Sequence, residues 1–281
     1  MPINIHKRHH KMVGDNKRTP LIVKAIQQKI KKGDVIFEIG CGTGILTLEA
    51  LKAGAGLVYA CDIDPEAVRA AKALIKKEGF EKKVVFFTGL SSDMELPRKI
   101  DGIIAETIGS IGLNENILPY VCDARKKWLK KNGFIIPQNL KIFLAPVSFS
   151  KKIPSNKNNE YDFMTGLVEP SQILAKEKLY GDISFLKNEY YGYDAEMDFT
   201  ITRPGNLDGF CGWIEVAWDA NNITHTSPFH PFTHWKQTLL PLAKSAPVKV
   251  GQKVAFRLII GPKDEIFSTE TLVEWGYKIC I

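Results

Sequence analysis

The 281-residue chain is short of cysteine, has no long apolar run and shows no internal repeat or low-complexity tract. Its five cysteines (Cys41, Cys61, Cys122, Cys211 and Cys280) are odd in number and widely separated. They form neither a Cys-x-x-Cys pair nor a metal-ligand spacing, which argues against a disulfide framework and a metal site and fits reduced thiols in a cytoplasmic protein. No apolar stretch approaches the about 20 residues that span a bilayer, so no membrane partner is expected. The opening MPINIHKRHHK carries charge without the apolar centre of a secretory signal. Wholesale disorder is excluded by 44% hydrophobic residues beside 25% charged ones. That balance and this length fit about two globular domains.

Positive charge is plentiful, but it is local. The formal net charge is +7, and residues 1–33 hold nine Lys or Arg against one acid, Asp15. The remainder carries 29 bases and 30 acids. A distributed nucleic-acid footprint is therefore absent, and no nucleic-acid partner is expected. A solvated helix face is the commoner explanation of such a run, with a local basic arm as the alternative.

Apolar patterning divides the chain near Pro137. TPLIVKAIQQKIKK (19–32) reads as a helix, with Thr19 as N-cap, Pro20 at the first helical position and Gly33 as the stop. Short apolar runs at 35–40, 56–64, 83–89 and 99–106 then alternate with helical spacing at 45–54, 65–79 and 114–131. This rhythm predicts a doubly wound α/β domain with a parallel sheet. Beyond GFIIP (133–137) the pattern changes to alternating stretches: KIFLAPV, MDFTITR, FCGWIEVAW, KVAFRLII and TLVEWGYKICI. These predict an all-β domain, in which Trp213, Trp218 and Trp275 belong to the core. The polar segment 150–162 reads as a loop. The expected units are an N-terminal helical segment (1–33), an α/β domain (34–136) and an all-β domain (137–281).

The chemistry-bearing residues gather at the ends of the predicted parallel strands. In VIFEIGCGTG, Glu38 stands two positions before Gly40, and Gly42 and Gly44 follow. Glycines after a first strand let a ligand approach the backbone closely. Asp62 ends the second strand 22 residues after Gly40, where a carboxylate can take both hydroxyls of a ribose. A nicotinamide dinucleotide and S-adenosylmethionine both fit this outline. An acid at position 38 repels a pyrophosphate and suits an amino group, which favours S-adenosylmethionine. After the fourth strand, Glu106 and Glu115 bracket AETIGSIGLNE (105–115). Two carboxylates there can grip the five-donor fork of a guanidinium. They can also be solvated surface acids, with Glu115 in the first turn of the next helix.

Five segments in order resemble the S-adenosylmethionine-dependent protein arginine N-methyltransferases. They are HHKMVGDNKRT (9–19), VIFEIGCGTGIL, VYACDID, AETIGSIGLNE and SPFHPFTHWKQT (227–238). The last lies in the other predicted domain, its His234 119 residues beyond Glu115. The resemblance implies a Rossmann-like methyltransferase domain followed by an all-β, barrel-like domain. It implies that Glu38, Gly40 and Gly42 surround the methionine part of the cofactor and that Arg18 pairs with its carboxylate. Asp62, with Ile63 beside it, would hold the ribose, and Leu90, Ser91 and Ser92 would meet the adenine. His9 and Met12 would line a lid and the methyl pocket. Glu106 and Glu115 would clamp the acceptor guanidinium, Glu106 touching the cofactor as well, His234 would pair with Asp15 as part of the catalytic set, and Trp235 would wall the substrate channel.

Some positions depart from the family pattern. Thr107-Ile108 stands where the family has Trp-Met, and Ser92 replaces an acid. The family's Tyr-Phe pair ahead of the lid histidine has no counterpart, and the dimerisation arm around 150–190 is shortened, though a homodimer stays open. The expected acceptor is an arginine-containing protein or peptide. A small guanidino compound such as free arginine is the alternative, and a non-catalytic cofactor-binding regulator is the weaker one.

Overall fold

The computed structural model describes residues 17–149 and 162–280. The first helix, α1, spans Thr19–Lys29. Its N-cap is Arg18, which has helical dihedrals and makes no side-chain cap, so Thr19 is the first helical residue rather than the cap. The Arg18 carbonyl instead takes the backbone N–H groups of Leu21 and Ile22. The helix stops short of Gly33 because Ile30 turns extended and buries its side chain.

Five strands then form one parallel sheet: β1 (Val35–Ile39), β2 (Leu57–Asp62), β3 (Val84–Thr88), β4 (Ile100–Ala105) and β5 (Leu129–Ile136). The helices between them are α2 (Ile45–Lys52), α3 (Pro65–Lys77) and α4 (Ile117–Trp128). Asp64 caps α3 by accepting the N–H of Glu66, with Pro65 in the first turn. The spatial order is β3-β2-β1-β4-β5. Central strands β1 and β4 are almost wholly buried, which is why they read as continuous apolar runs. The order reverses at β1, whose neighbours are β2 and β4. Crevices for ligands open at the carboxyl ends of strands at such a switch point.

Helix α4 begins later than its spacing suggests. The Asn114 side chain accepts the Ile111 N–H, and Asn116 adopts φ +57°, so the chain reaches helical geometry only at Ile117. Glu115 therefore lies in the turn before the helix, not in its first turn.

From Asn139 onward the structure is antiparallel. Strands β6 (Asn139–Val147), β7 (Met164–Gly166), β8 (Lys178–Ser184), β10 (Gly205–Ala217), β11 (Ile223–His225) and β12 (Gln237–Val248) form one sheet. Strands β9 (Tyr193–Thr200), β13 (Lys253–Pro262) and β14 (Thr271–Cys280) form a second. The two pack through Phe210 and Phe256, whose rings stack with centroids 3.7 Å apart, with Phe199 beside Phe210. Trp213 and Trp218 are buried, whereas Trp275 is half-buried. Strands β8 and β12 have no clear signal in the sequence. Pro241 and Pro247 interrupt β12, and the sheet tolerates Pro241 because β7 pairs only with Gln237–Leu239.

Candidate active site at the carboxyl edge of the parallel sheet

A cavity of about 520 Å³ opens at the switch point, within the range of small-molecule sites. Gly40, which follows β1, has φ +72°, and a Cβ there would come within 2.6 Å of Thr107 Cγ2. The glycine turn and the loop after β4 are thus in direct contact. Gly40 and Cys41 both donate their N–H to the Cys61 carbonyl, tying the turn to β2.

Three acids from three strand ends line the cavity: Glu38, Asp62 and Glu106. Asp62 accepts the N–H of Gly42 at 2.8 Å on one oxygen and that of Asp64 at 2.9 Å on the other. A carboxylate has about four acceptor sites, so two backbone bonds orient it and leave capacity for a ligand. Glu38 is 2% exposed and accepts a short hydrogen bond from Thr47 Oγ1. Burial pushes its carboxyl up to about 8; the Thr47 bond pulls down and the charge of Asp62 adds to the rise. Burial thus favours the protonated carboxyl, and a cation entering the cavity would draw that proton off.

Ile63, Leu90 and Ser91 also line the cavity. Ser91 is buried, and its hydroxyl has no hydrogen-bond partner among the described residues. Ser92 is not part of the lining; its hydroxyl is 3.3 Å from Asp93 Oδ1.

The paired glutamates have different surroundings. Glu106 is largely buried, with Oε1 2.6 Å from Arg18 Nη1, itself buried. The Arg18 guanidinium lies over the Trp235 ring, 5.2 Å from its centroid. Glu115 is exposed at the rim of the same cavity. The loop between them is folded by a Gly109–Gly112 bridge. A Cβ at residue 109 would collide with the Asn114 side chain, which would then have to shift. The antiparallel domain braces this loop twice. Trp235 Nε1 donates to the Ile108 carbonyl at 2.9 Å, and Thr238 Oγ1 is 2.8 Å from Ser110 Oγ.

Trp235 is 6% exposed, stacks against Trp218 and does not line the cavity. His234 sits beside it, ring centroids 4.8 Å apart, and is likewise outside the lining. Asp15, His9 and Met12 lie outside the described residues. Asn114, Tyr120, Ser268 and Thr269 line the cavity although nothing in the sequence pointed to them, and so does Thr107, noted there only as a departure from the family pattern. Ser268 and Thr269 come from the β13–β14 connection and carry no local motif. Among the described residues no group of three His, Cys, Asp or Glu side chains is placed to hold a metal.

The residues fit S-adenosylmethionine, a ligand with an ammonium, a ribose and a base: Glu38 and Asp62 supply acceptors, and buried Ser91 has an unfilled hydroxyl. Comparison with known proteins agrees with this outline. A family model described as ribosomal protein L11 methyltransferase matches residues 13–137, and one described as the arginine methyltransferase oligomerization subdomain matches residues 149–278. The chain is 39% identical over 310 residues to a probable protein arginine N-methyltransferase 6.1 of Oryza sativa subsp. japonica, covering 92% of this chain and 79% of that protein. It is 24% identical to the arginine N(omega)-methyltransferase of Streptomyces achromogenes subsp. streptozoticus, covering 91% and 76%. The fold matches the Trypanosoma brucei PRMT1 enzyme–prozyme heterotetrameric complex with AdoHcy at a TM-score of 0.83 and 22% identity, covering 98% and 93% of the two chains. The chain therefore belongs to the protein arginine N-methyltransferase family.

Proposed function

We propose that this methyltransferase uses S-adenosylmethionine to methylate a guanidino nitrogen of arginine in a protein or peptide. One observation carries the reading: Glu106, at the switch-point cavity, already holds a guanidinium, that of Arg18, at 2.6 Å, with Glu115 at the rim of the same space. A carboxylate in this setting is suited to a second planar cation of the same kind. When bound, the cofactor supplies a methyl carbon made electrophilic by its sulfonium.

The chain's own residues answer two difficulties. A guanidinium is a poor nucleophile, because its pKa lies above about 12 and its charge is delocalised. It is also repelled by a second cation. Glu106 and Glu115 offset that repulsion and hold one nitrogen towards the cavity. Positioning of this kind supplies up to about 7–11 kcal/mol, against about 10²–10⁴-fold from general-base help. The proton shed by the acceptor nitrogen passes to one of the glutamates or to the His234–Asp15 pair. Glu38 and the Gly40–Gly42 turn receive the amino-acid end of the cofactor, Asp62 the ribose, and Ser91 the base. Buried, unpaired Cys41, Cys61, Cys122 and Cys211 suit a reducing cytoplasm.

A second reading, a small guanidino acceptor such as free arginine, is favoured by the Streptomyces relative, whose name specifies arginine without a protein. Isotope-labelled cofactor offered with an arginine-containing peptide or with free arginine, followed by mass spectrometry, separates the two. Glu106→Gln should lower transfer more than about 100-fold while the cofactor Kd stays within about threefold, the scale of one weakened charge-assisted contact. Full turnover by that variant would overturn the clamp.

A further inference from the structure

The β13–β14 connection reaches across from the antiparallel domain and supplies Ser268 and Thr269 to the cavity wall. It is held there by the start of α4. Asn116 Nδ2 donates to the Ser268 carbonyl at 2.7 Å and to that of Ile266 at 3.4 Å. The Tyr120 hydroxyl donates to the Phe267 carbonyl at 2.9 Å, and the Tyr120 and Phe267 rings meet with centroids 5.7 Å apart. Asn116 takes its φ of +57° immediately before the helix, so the backbone is bent where this contact is made.

The contact falls at one particular end of the cavity. Helix α4 packs on the short turn Ser91–Asp93 that follows β3. The Asp93 carboxylate is near enough to help burial raise the Tyr120 phenol above its ordinary range. Tyr120, Leu90 and Ser91 thus bound one end of the space, and Ser268 and Thr269 complete it. Ser91 there has a buried hydroxyl with no partner among the described residues.

We propose that the tip of the β13–β14 hairpin is a clasp on the cofactor site: Ser268 and Thr269 contact the base end of the bound cofactor, and the Asn116, Tyr120 and Phe267 contacts hold them there. The proposal rests on the reading of the cavity as a cofactor site. It gives the antiparallel domain a part in cofactor retention, separate from the bracing of the glutamate loop by Trp235 and Thr238. The clasp is also placed to move. Its outer residues Lys263, Glu265 and Thr269 are exposed, and among the described residues its hold on the start of α4 consists of four side-chain hydrogen bonds and one ring contact.

The test is the release rate of S-adenosylhomocysteine from the full-length protein, measured by chase with excess unlabelled ligand. Phe267→Ala acts on the clasp without altering a lining residue, Tyr120→Phe removes the phenol's hydrogen bonds to the hairpin, and Thr269→Ala changes an exposed lining position. The contacts at stake correspond to a threefold to tenfold effect each. Release should therefore quicken about threefold to tenfold in each variant, and in Phe267→Ala acceptor KM and kcat at saturating cofactor should stay unchanged. Amide exchange at 264–269 should slow when the ligand binds the wild-type protein. Unaltered release in Phe267→Ala and Thr269→Ala, with wild-type binding intact, overturns the clasp. A change in acceptor KM with unaltered release assigns the hairpin to the acceptor instead and also overturns it. A wild-type protein that binds no cofactor at all removes the underlying functional reading as well.

Discussion

Glu38 shows what burial does to a residue whose type alone is ambiguous. From the sequence it is a negative charge before a glycine turn. In the fold its carboxyl is pushed up to about 8, because the charged form would lose its solvent in a buried position. The unfolded chain releases this proton near 4.5 and the folded chain keeps it to about 8. Between those values the folded state binds more protons, so stability falls as pH rises, with a slope approaching about 1.4 kcal/mol per pH unit from this group. Urea unfolding at pH 5.5 and 7.5 should show this loss in the wild type, and Glu38→Gln should lack it. Cofactor binding near pH 7 should release a proton from Glu38. Titration calorimetry in two buffers of different ionisation enthalpy measures that directly, and identical apparent enthalpies would contradict it.

At the scale of the element, the loop from Glu106 to Asn116 governs the site. Its acids were legible from their spacing, but its shape was not. The Gly109–Gly112 bridge, the Asn114 side chain and the left-handed Asn116 all act through contacts between loop residues. They set the late start of α4 and leave Glu115 in a turn. Gly109→Ala forces the new methyl against Asn114 and should destabilise the protein by about 1–3 kcal/mol, the usual cost of overpacking, read from the denaturation midpoint. Trp235→Phe keeps an aromatic ring, though a smaller one, and leaves the buried Ile108 carbonyl without its donor. That change should cost about 1–3 kcal/mol of stability and lower kcat. Cofactor affinity should hold, which a binding titration checks.

At the level of the whole molecule, the parallel and antiparallel halves share their larger buried cluster. Ile104, Ile111 and Leu113 of the α/β half belong to the same buried cluster as Leu140, Ile142 and Leu144 of β6 and Trp218 after β10. The cavity draws its wall from both halves. Thermal unfolding should therefore follow a single cooperative transition, and saturating cofactor should raise its midpoint. Two separated transitions by calorimetry would show that the halves melt independently.

Local spacing in the sequence by itself was enough for β1 to β4, their helices and the acids at the strand ends, but not for β5, whose first residues (129–131) read as a continuation of the helix before it. Buried strands need unbroken apolar runs, and a turn that meets a ligand needs glycine beside its strand. The sequence was silent on β12, where two prolines mask a strand whose place depends on how little β7 covers it. Only the tertiary structure decided that Arg18 rests on Glu106 and Trp235 and that a hairpin from the far end of the chain completes the cavity. Each of these contacts joins residues at least 88 positions apart, and no local pattern encodes such a pairing.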